Sequence, residues 1–291
     1  MQHTPVGKKG GTALECLSPA KIAELTTASG ESKVGLSLRR LAVLGVLAGA
    51  YIAFGAQASL LVLSDTSAFL GFGLSRILGG LVFSVGLILV VLSGAELFTG
   101  NSLMALSACR HRSSWRGVLR SWVLVYFFNM AGSILMALLI FGARQYMLGD
   151  GSVGVAALRL AATKVSLPFW TAFFRGILCN WLVCLAVWMA TGAMDTTGKV
   201  LAVVPPVTVF VASGFEHSVA NMFFVPLGLM LRRVPSIVAA AGSVPGFQQL
   251  TWVHGFLLGN LLPVTLGNLA GGVLFVAVPY WLAYARSTGN P

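Results

Sequence analysis

Long apolar stretches alternate with short polar connectors along this chain. The apolar runs cover about 41–63, 78–109, 118–143, 169–191, 200–231 and 252–285. Each exceeds the roughly 20 residues that an α-helix needs to cross a bilayer. The pattern predicts an all-α integral membrane protein with six transmembrane helices.

Two runs are too long for one straight helix. Residues 78–109 would extend about 48 Å as a helix, against a hydrocarbon core of about 30 Å. The run 200–231 has the same excess. Each carries a polar interruption: Gly94-Ala95-Glu96-Leu97-Phe98-Thr99-Gly100-Asn101 in the first, Gly214-Phe215-Glu216-His217-Ser218-Val219-Ala220-Asn221 in the second. Both fit G-x-E-x-x-x-x-N, so two broken helices are expected. Other strings pair as well. Gly45-Val46-Leu47 and Gly176-Ile177-Leu178 open the first and fourth spans, and Asn129-Met130-Ala131-Gly132 resembles Asn268-Leu269-Ala270-Gly271. Spans 1–3 (about 41–143) and 4–6 (about 169–285) therefore read as a repeat. Three is odd, so the second copy enters from the opposite side, giving an inverted 3+3 repeat. Discontinuous helices in inverted repeats mark pathways near the bilayer midplane. Non-helical backbone survives there only where protein or a cavity satisfies it.

Composition agrees. The chain has 291 residues, 9% charged and 57% hydrophobic, with a mean hydropathy of +0.87. A soluble domain carries roughly 25% charged residues. The net charge of +11 could suggest nucleic acid, but its placement argues against that partner. Lys8, Lys9, Lys21, Lys33, Arg39 and Arg40 precede the first run, and Arg110, Arg112, Arg116 and Arg120 share one loop. With Lys199 and Arg286 they put twelve of the 19 cations on one side of a six-span topology. The other side holds Arg76, Arg144, Arg159, Lys164, Arg175, Arg232 and Arg233. The richer side marks the cytoplasm, which places both termini there and the protein in the cell's inner (plasma) membrane.

Three parts are expected: a cytoplasmic N-terminal segment 1–36, a six-span transport domain 37–286 and a tail 287–291. The first 40 residues hold no continuous apolar stretch and are no signal peptide. Residues 18–30 read as a short surface helix with Ser18 as cap, Pro19 in the first turn and Ile22 and Leu25 as one apolar edge; a frayed tail is the alternative. Cys16 and Cys109 fall on the cytoplasmic side, where disulfides are rare, and Cys179 and Cys184 read as small buried hydrophobes.

Little side-chain chemistry is available. Of eight acidic residues, Glu96 and Glu216 lie inside apolar runs, each at a break. Intramembrane carboxylates are costly and are paired or functional. Since both repeats carry one, each is expected to tie down backbone N–H groups freed by its break, with a proton relay as the alternative. His217 has Leu97 as its counterpart, so it breaks the repeat symmetry, and histidine titrates near neutral pH. The steps Phe210, Gly214, His217 and Asn221 would share one face of a continuous helix, and Phe83 and Leu87 are one turn apart before the first break. His254 reads as an interfacial anchor, His111 as part of the basic loop and His3 as part of the tail. No nucleotide loop, nucleophile elbow or zincin motif occurs. A metal site on Glu96, Glu216 and His217 lacks a second histidine. No cofactor, metal or enzymatic role is expected.

The two breaks, the stretch Cys179-Asn180-Trp181-Leu182-Val183-Cys184-Leu185-Ala186-Val187-Trp188 and Leu266-Gly267-Asn268 resemble the formate/nitrite transporter family over roughly residues 35–285. The resemblance implies an aquaporin-like fold, a homopentamer with one pore per protomer, and passage of small monovalent anions or their acids, such as formate, nitrite or hydrosulfide, with a proton. It implies His217 as the central pore histidine and Thr99 as the threonine beside it. Phe83 and Phe210 would form the outer constriction, Leu87 and Phe98 the inner one. Asn180, Glu216 and Asn221 would be polar groups around the histidine. Lys164 would stand near the outer vestibule and attract the anion; its nearest acidic residue in sequence is Asp150, so no local ion-pair partner is expected. Gly94, Gly100, Asn101 and Gly214, with Glu96, shape the breaks. An aquaporin-type neutral-solute channel is the alternative, although Asn101-Ser102 and Asn221-Met222 lack the Asn-Pro-Ala signature.

Overall fold

The computed structural model describes residues 16–285. Among them, helices dominate: α1 (Pro19–Val34), α2 (Leu38–Leu63), α3 (Ser67–Ser93), α4 (Ala105–Cys109), α5 (Trp115–Gly142), α6 (Ser152–Val165), α7 (Phe169–Gly192), α8 (Thr196–Ala212), α9 (Ser218–Leu231) and α10 (Pro235–Ala241). The last span alternates π-helical turns (Trp252–Leu261, Val273–Ala277, Trp281–Ala285) with α11 (Leu262–Gly272). Helices α2, α3, α5, α7 and the last span are each long and apolar enough to cross a membrane. The remaining crossing is built in pieces. Helix α8 has 17 residues and α9 has 14, and α9 bends by 102° into α10. The chain is a multi-pass membrane protein with an inverted 3+3 repeat.

Both expected breaks are present. Helix α3 stops at Gly94 and helical turns resume at Gly100 as a 3-10 segment leading into α4; α8 stops at Ser213 and α9 starts at Ser218. The stops have one cause. Gly94 has φ 73° and Gly214 has φ 70°, a left-handed conformation that costs other residues about 1–2 kcal/mol. The face Phe210–Gly214–His217–Asn221 is thus not one continuous helix. Helix α3 also begins earlier than the apolar run, at Ser67, with a non-helical residue at Gly71.

The repeats pack alike. A Cβ on Gly49 or Gly132 would collide with backbone across the α2–α5 contact, and one on Gly267 or Gly271 would collide across the α7–α11 contact. Small residues let membrane helices approach to backbone contact. That closeness is what lets side chains of α5 and α11 reach the breaks.

Helix α1 is longer than expected. Ser18 caps it and Pro19 opens it. Its buried edge is Ile22, Ala23, Thr26, Thr27 and Gly30, whereas Leu25 is 37% exposed. A Cβ on Gly30 would meet Ser107 of α4, so α1 is seated against the first break and is no frayed tail. Helix α1 stands before α2 as α6 stands before α7. The four cysteines are free.

Candidate functional site

Each break is held by an asparagine from a neighbouring span. Asn129 on α5 donates to Gly45 O (2.8 Å) and Glu96 O (2.9 Å) and accepts the Phe98 N–H (2.9 Å). Asn268 on α11 donates to Gly176 O (2.8 Å) and Glu216 O (2.9 Å) and accepts the Ser218 N–H (2.9 Å). The Glu96 N–H donates to Leu44 O and the Glu216 N–H to Arg175 O, both at 3.2 Å. Buried backbone groups freed from a helix need such partners. The sequence expectation gave this duty to the two glutamates. The asparagines hold the breaks because a primary amide offers both donors and an acceptor, while a carboxylate only accepts.

The carboxylates instead neutralise lysines. Glu96 Oε2 accepts from Lys33 Nζ (3.0 Å) and Asn101 Nδ2 (2.8 Å), and Asn101 Oδ1 accepts from Lys33 (2.7 Å). Glu216 Oε1 accepts from Lys164 Nζ (2.9 Å), and its Oε2 accepts from Asn221 Nδ2 (2.7 Å). Asn260, in the first π-helical stretch of the last span, completes this copy by donating to Lys164 O (3.0 Å). Lys164 is therefore not an unpartnered cation at an exposed mouth. It is buried, 8% exposed, and its partner lies 52 residues away in sequence. Lys33 is its counterpart, although in the sequence it stands only among the charges that set topology. A signal existed: each lysine lies shortly before the next span, which starts at Leu38 or Phe169. The asparagine role was foreshadowed by the repeated Asn-x-Ala-Gly strings.

His217 joins the two repeats. It is the N-cap of α9, its Nδ1 accepting the Ala220 N–H at 3.0 Å, while Nε2 lies 3.0 Å from Thr99 Oγ1. A backbone amide can only donate, so Nδ1 is unprotonated and the ring proton sits on Nε2, directed at Thr99. Thr99 is fully buried. Its carbonyl accepts from Asn180 Nδ2 (3.2 Å), which also reaches Ser102 Oγ (3.1 Å) and Asn268 O (2.7 Å).

Aromatic rings stand on one side of this pair. Phe210 is stacked on His217 at 5.9 Å, and Phe83 meets Phe210 edge-on at 5.7 Å. They line a chamber of about 150 Å³ together with Lys164, Glu216, Gly214 and Asn221. A second chamber, of about 380 Å³, is lined by Leu87, Leu97, Gly94, Glu96, Gly100, Asn101 and Lys33. Phe98 packs edge-on against Tyr126 at 4.9 Å. The described residues thus form two chambers with polar and apolar lining, and the buried His217–Thr99 pair adjoins the one lined by Phe83 and Phe210. Among the described residues no group of three His, Cys, Asp or Glu side chains could hold a metal.

The family model described as formate/nitrite transporter matches residues 20–282. The chain is 38% identical to formate channel FocA of Escherichia coli strain K12, over 97% of this chain and 99% of that one. It is 41% identical to a probable formate transporter of Methanothermobacter thermautotrophicus, over 92% and 97%. A solved pentameric formate channel with formate bound superposes with a TM-score of 0.77 at 37% identity, covering 86% of this chain and 98% of that one. By this match over most of its length and by these identities, the chain belongs to the formate/nitrite transporter family.

Proposed function

We propose that this protein is a homopentameric pore that passes formate and related small monovalent anions, nitrite included, together with a proton. It works without enzymatic chemistry, in the cell's inner membrane, with both termini and the Lys33 chamber cytoplasmic and the Lys164 chamber outside. The observation that carries the reading is the buried His217–Thr99 pair beside a chamber lined by Phe83, Phe210 and Lys164, with a second chamber lined by Leu87, Glu96 and Lys33 in the other half. The family and the named activities of its relatives support the substrate class.

The physical problem is desolvation. A bare anion entering a dry ring of Phe83 and Phe210, or of Leu87, loses its water without gaining a partner, at a cost of at least several kcal/mol. A neutral acid avoids most of that cost. The Nε2–H of His217 and the Thr99 hydroxyl form a donor chain at the point where the anion would be least solvated. In this reading that chain lends a proton to the anion or hydrogen-bonds it through the constriction. A neutral imidazole does not give up its one ring proton, so a proton reaches the anion only when Nδ1 first takes one up and opens the α9 cap; Nε2 then releases its proton to the anion and the ring is neutral again.

The test is flux into liposomes holding the purified full chain, with formate, nitrite, hydrosulfide and chloride compared at two pH values. Formate and nitrite uptake that rises toward acidic pH is expected. Flux of water or glycerol with no anion uptake would overturn the reading in favour of a neutral-solute channel.

A further inference from the structure

The chamber beside Lys164 has three cations in its wall, Arg76, Lys164 and Arg175. Glu216 is the carboxylate among its lining residues, and Lys164 already holds it at 2.9 Å. Two guanidinium charges therefore remain without a counter-anion in that wall. They are not equivalent. Arg76 is committed: its Nε donates to Ala212 O (3.0 Å) and one terminal nitrogen to Val211 O (2.8 Å). These are carbonyls at the end of α8, which a cation there satisfies. Arg175, half-buried on α7, has no hydrogen bond or ion pair from its guanidinium among the described residues. The two charges repel each other across the chamber.

The repeat shows that this charge belongs to one side only. The Glu216 amide bonds Arg175 O as the Glu96 amide bonds Leu44 O, so Arg175 stands where the other half has leucine. The opposite chamber carries Lys33 and Lys199 in its wall, both ammonium groups. An ammonium is a compact point charge. A guanidinium presents parallel N–H donors that match two oxygens of one planar group.

We infer that Arg175 is a specificity-determining residue, whose free guanidinium fork captures planar two-oxygen anions in the Lys164 chamber before they meet Phe83 and Phe210. Arg76 supplies fixed positive potential beside it. Lys164, being neutralised, contributes structure rather than net charge. The ligand class is a carboxylate or nitrite; a one-atom anion such as chloride cannot take both donors of the fork. The inference rests on the anion-pore reading above and refines it.

The test compares wild type, R175K and R175Q, each as the reconstituted full chain, by formate and nitrite flux over a concentration series, with chloride as competitor. R175K keeps the charge and loses the fork, and it carries the test should R175Q fail to assemble. Loss of a bidentate charge-assisted contact predicts a half-saturating formate or nitrite concentration about tenfold higher in R175K, with maximal flux little changed. The inhibition constant for chloride stays as in wild type. R175K that matches wild type at every concentration would show that charge alone, or nothing, acts at this position and would overturn the inference. Wild type that moves no anion would instead remove the underlying pore reading, so the two failures are distinct.

Discussion

His217 Nε2 lies 3.0 Å from Thr99 Oγ1, while its Nδ1 accepts the amide of Ala220. One ring thus does two jobs, capping a helix and presenting a proton. Substitutions can separate them. Asparagine is a strong N-cap, and alanine costs about 0.5–2 kcal/mol at such a position. H217N is expected to assemble with near-wild-type thermal stability and to lose the rise of flux toward acidic pH. H217A should lose both. Flux from pH 5 to 7.5 and thermal unfolding of the purified oligomer check the pair; unchanged pH dependence in H217N would remove the histidine from the mechanism.

Asn129→Ala and Asn268→Ala should be among the most destabilising polar substitutions in the chain. Each frees one buried N–H and two carbonyls. An unsatisfied buried group costs about 1–3 kcal/mol. The measurement is loss of the folded oligomer on heating in detergent. A variant as stable as wild type would show that water or another side chain takes over the break.

The Lys164–Glu216 pair is buried on both sides, at 10% and 5% side-chain exposure. Removing one partner of such a pair typically costs about 3–5 kcal/mol, because the other charge is left uncompensated. K164Q and E216Q should each destabilise strongly, and the K164Q/E216Q double variant should recover much of the loss through a neutral amide pair. The same series at Lys33 and Glu96 should show smaller effects, since Lys33 is 26% exposed and water can solvate it. A double-mutant cycle in thermal stability is the check, and additive losses would contradict the coupling.

Phe210 touches both Phe83 and His217 through ring contacts. F210A removes the ring that closes the chamber over the histidine. Flux of acetate and lactate is expected to rise relative to formate, and pH dependence to weaken as water reaches the pair. Competition among the three acids in liposomes decides it; an unchanged selectivity order would place the sieve elsewhere.

The six apolar runs, the two breaks, the repeat between them and the singularity of His217 are all properties of short strings, and the sequence alone determined them. A run is apolar because lipid surrounds it, and a glycine followed two residues later by glutamate interrupts it whatever the rest of the chain does. Partnership between distant residues is different, because it depends on which helices pass within reach. Only the tertiary structure decided that Asn129 and Asn268, rather than Glu96 and Glu216, hold the freed backbone. It also decided that Lys33 answers Glu96 across 63 positions and that Lys164 is spent on Glu216. Close packing at Gly49, Gly132, Gly267 and Gly271 sets those distances. A hydrogen bond reaches about 3 Å, and no local pattern specifies which groups the folded chain brings that close.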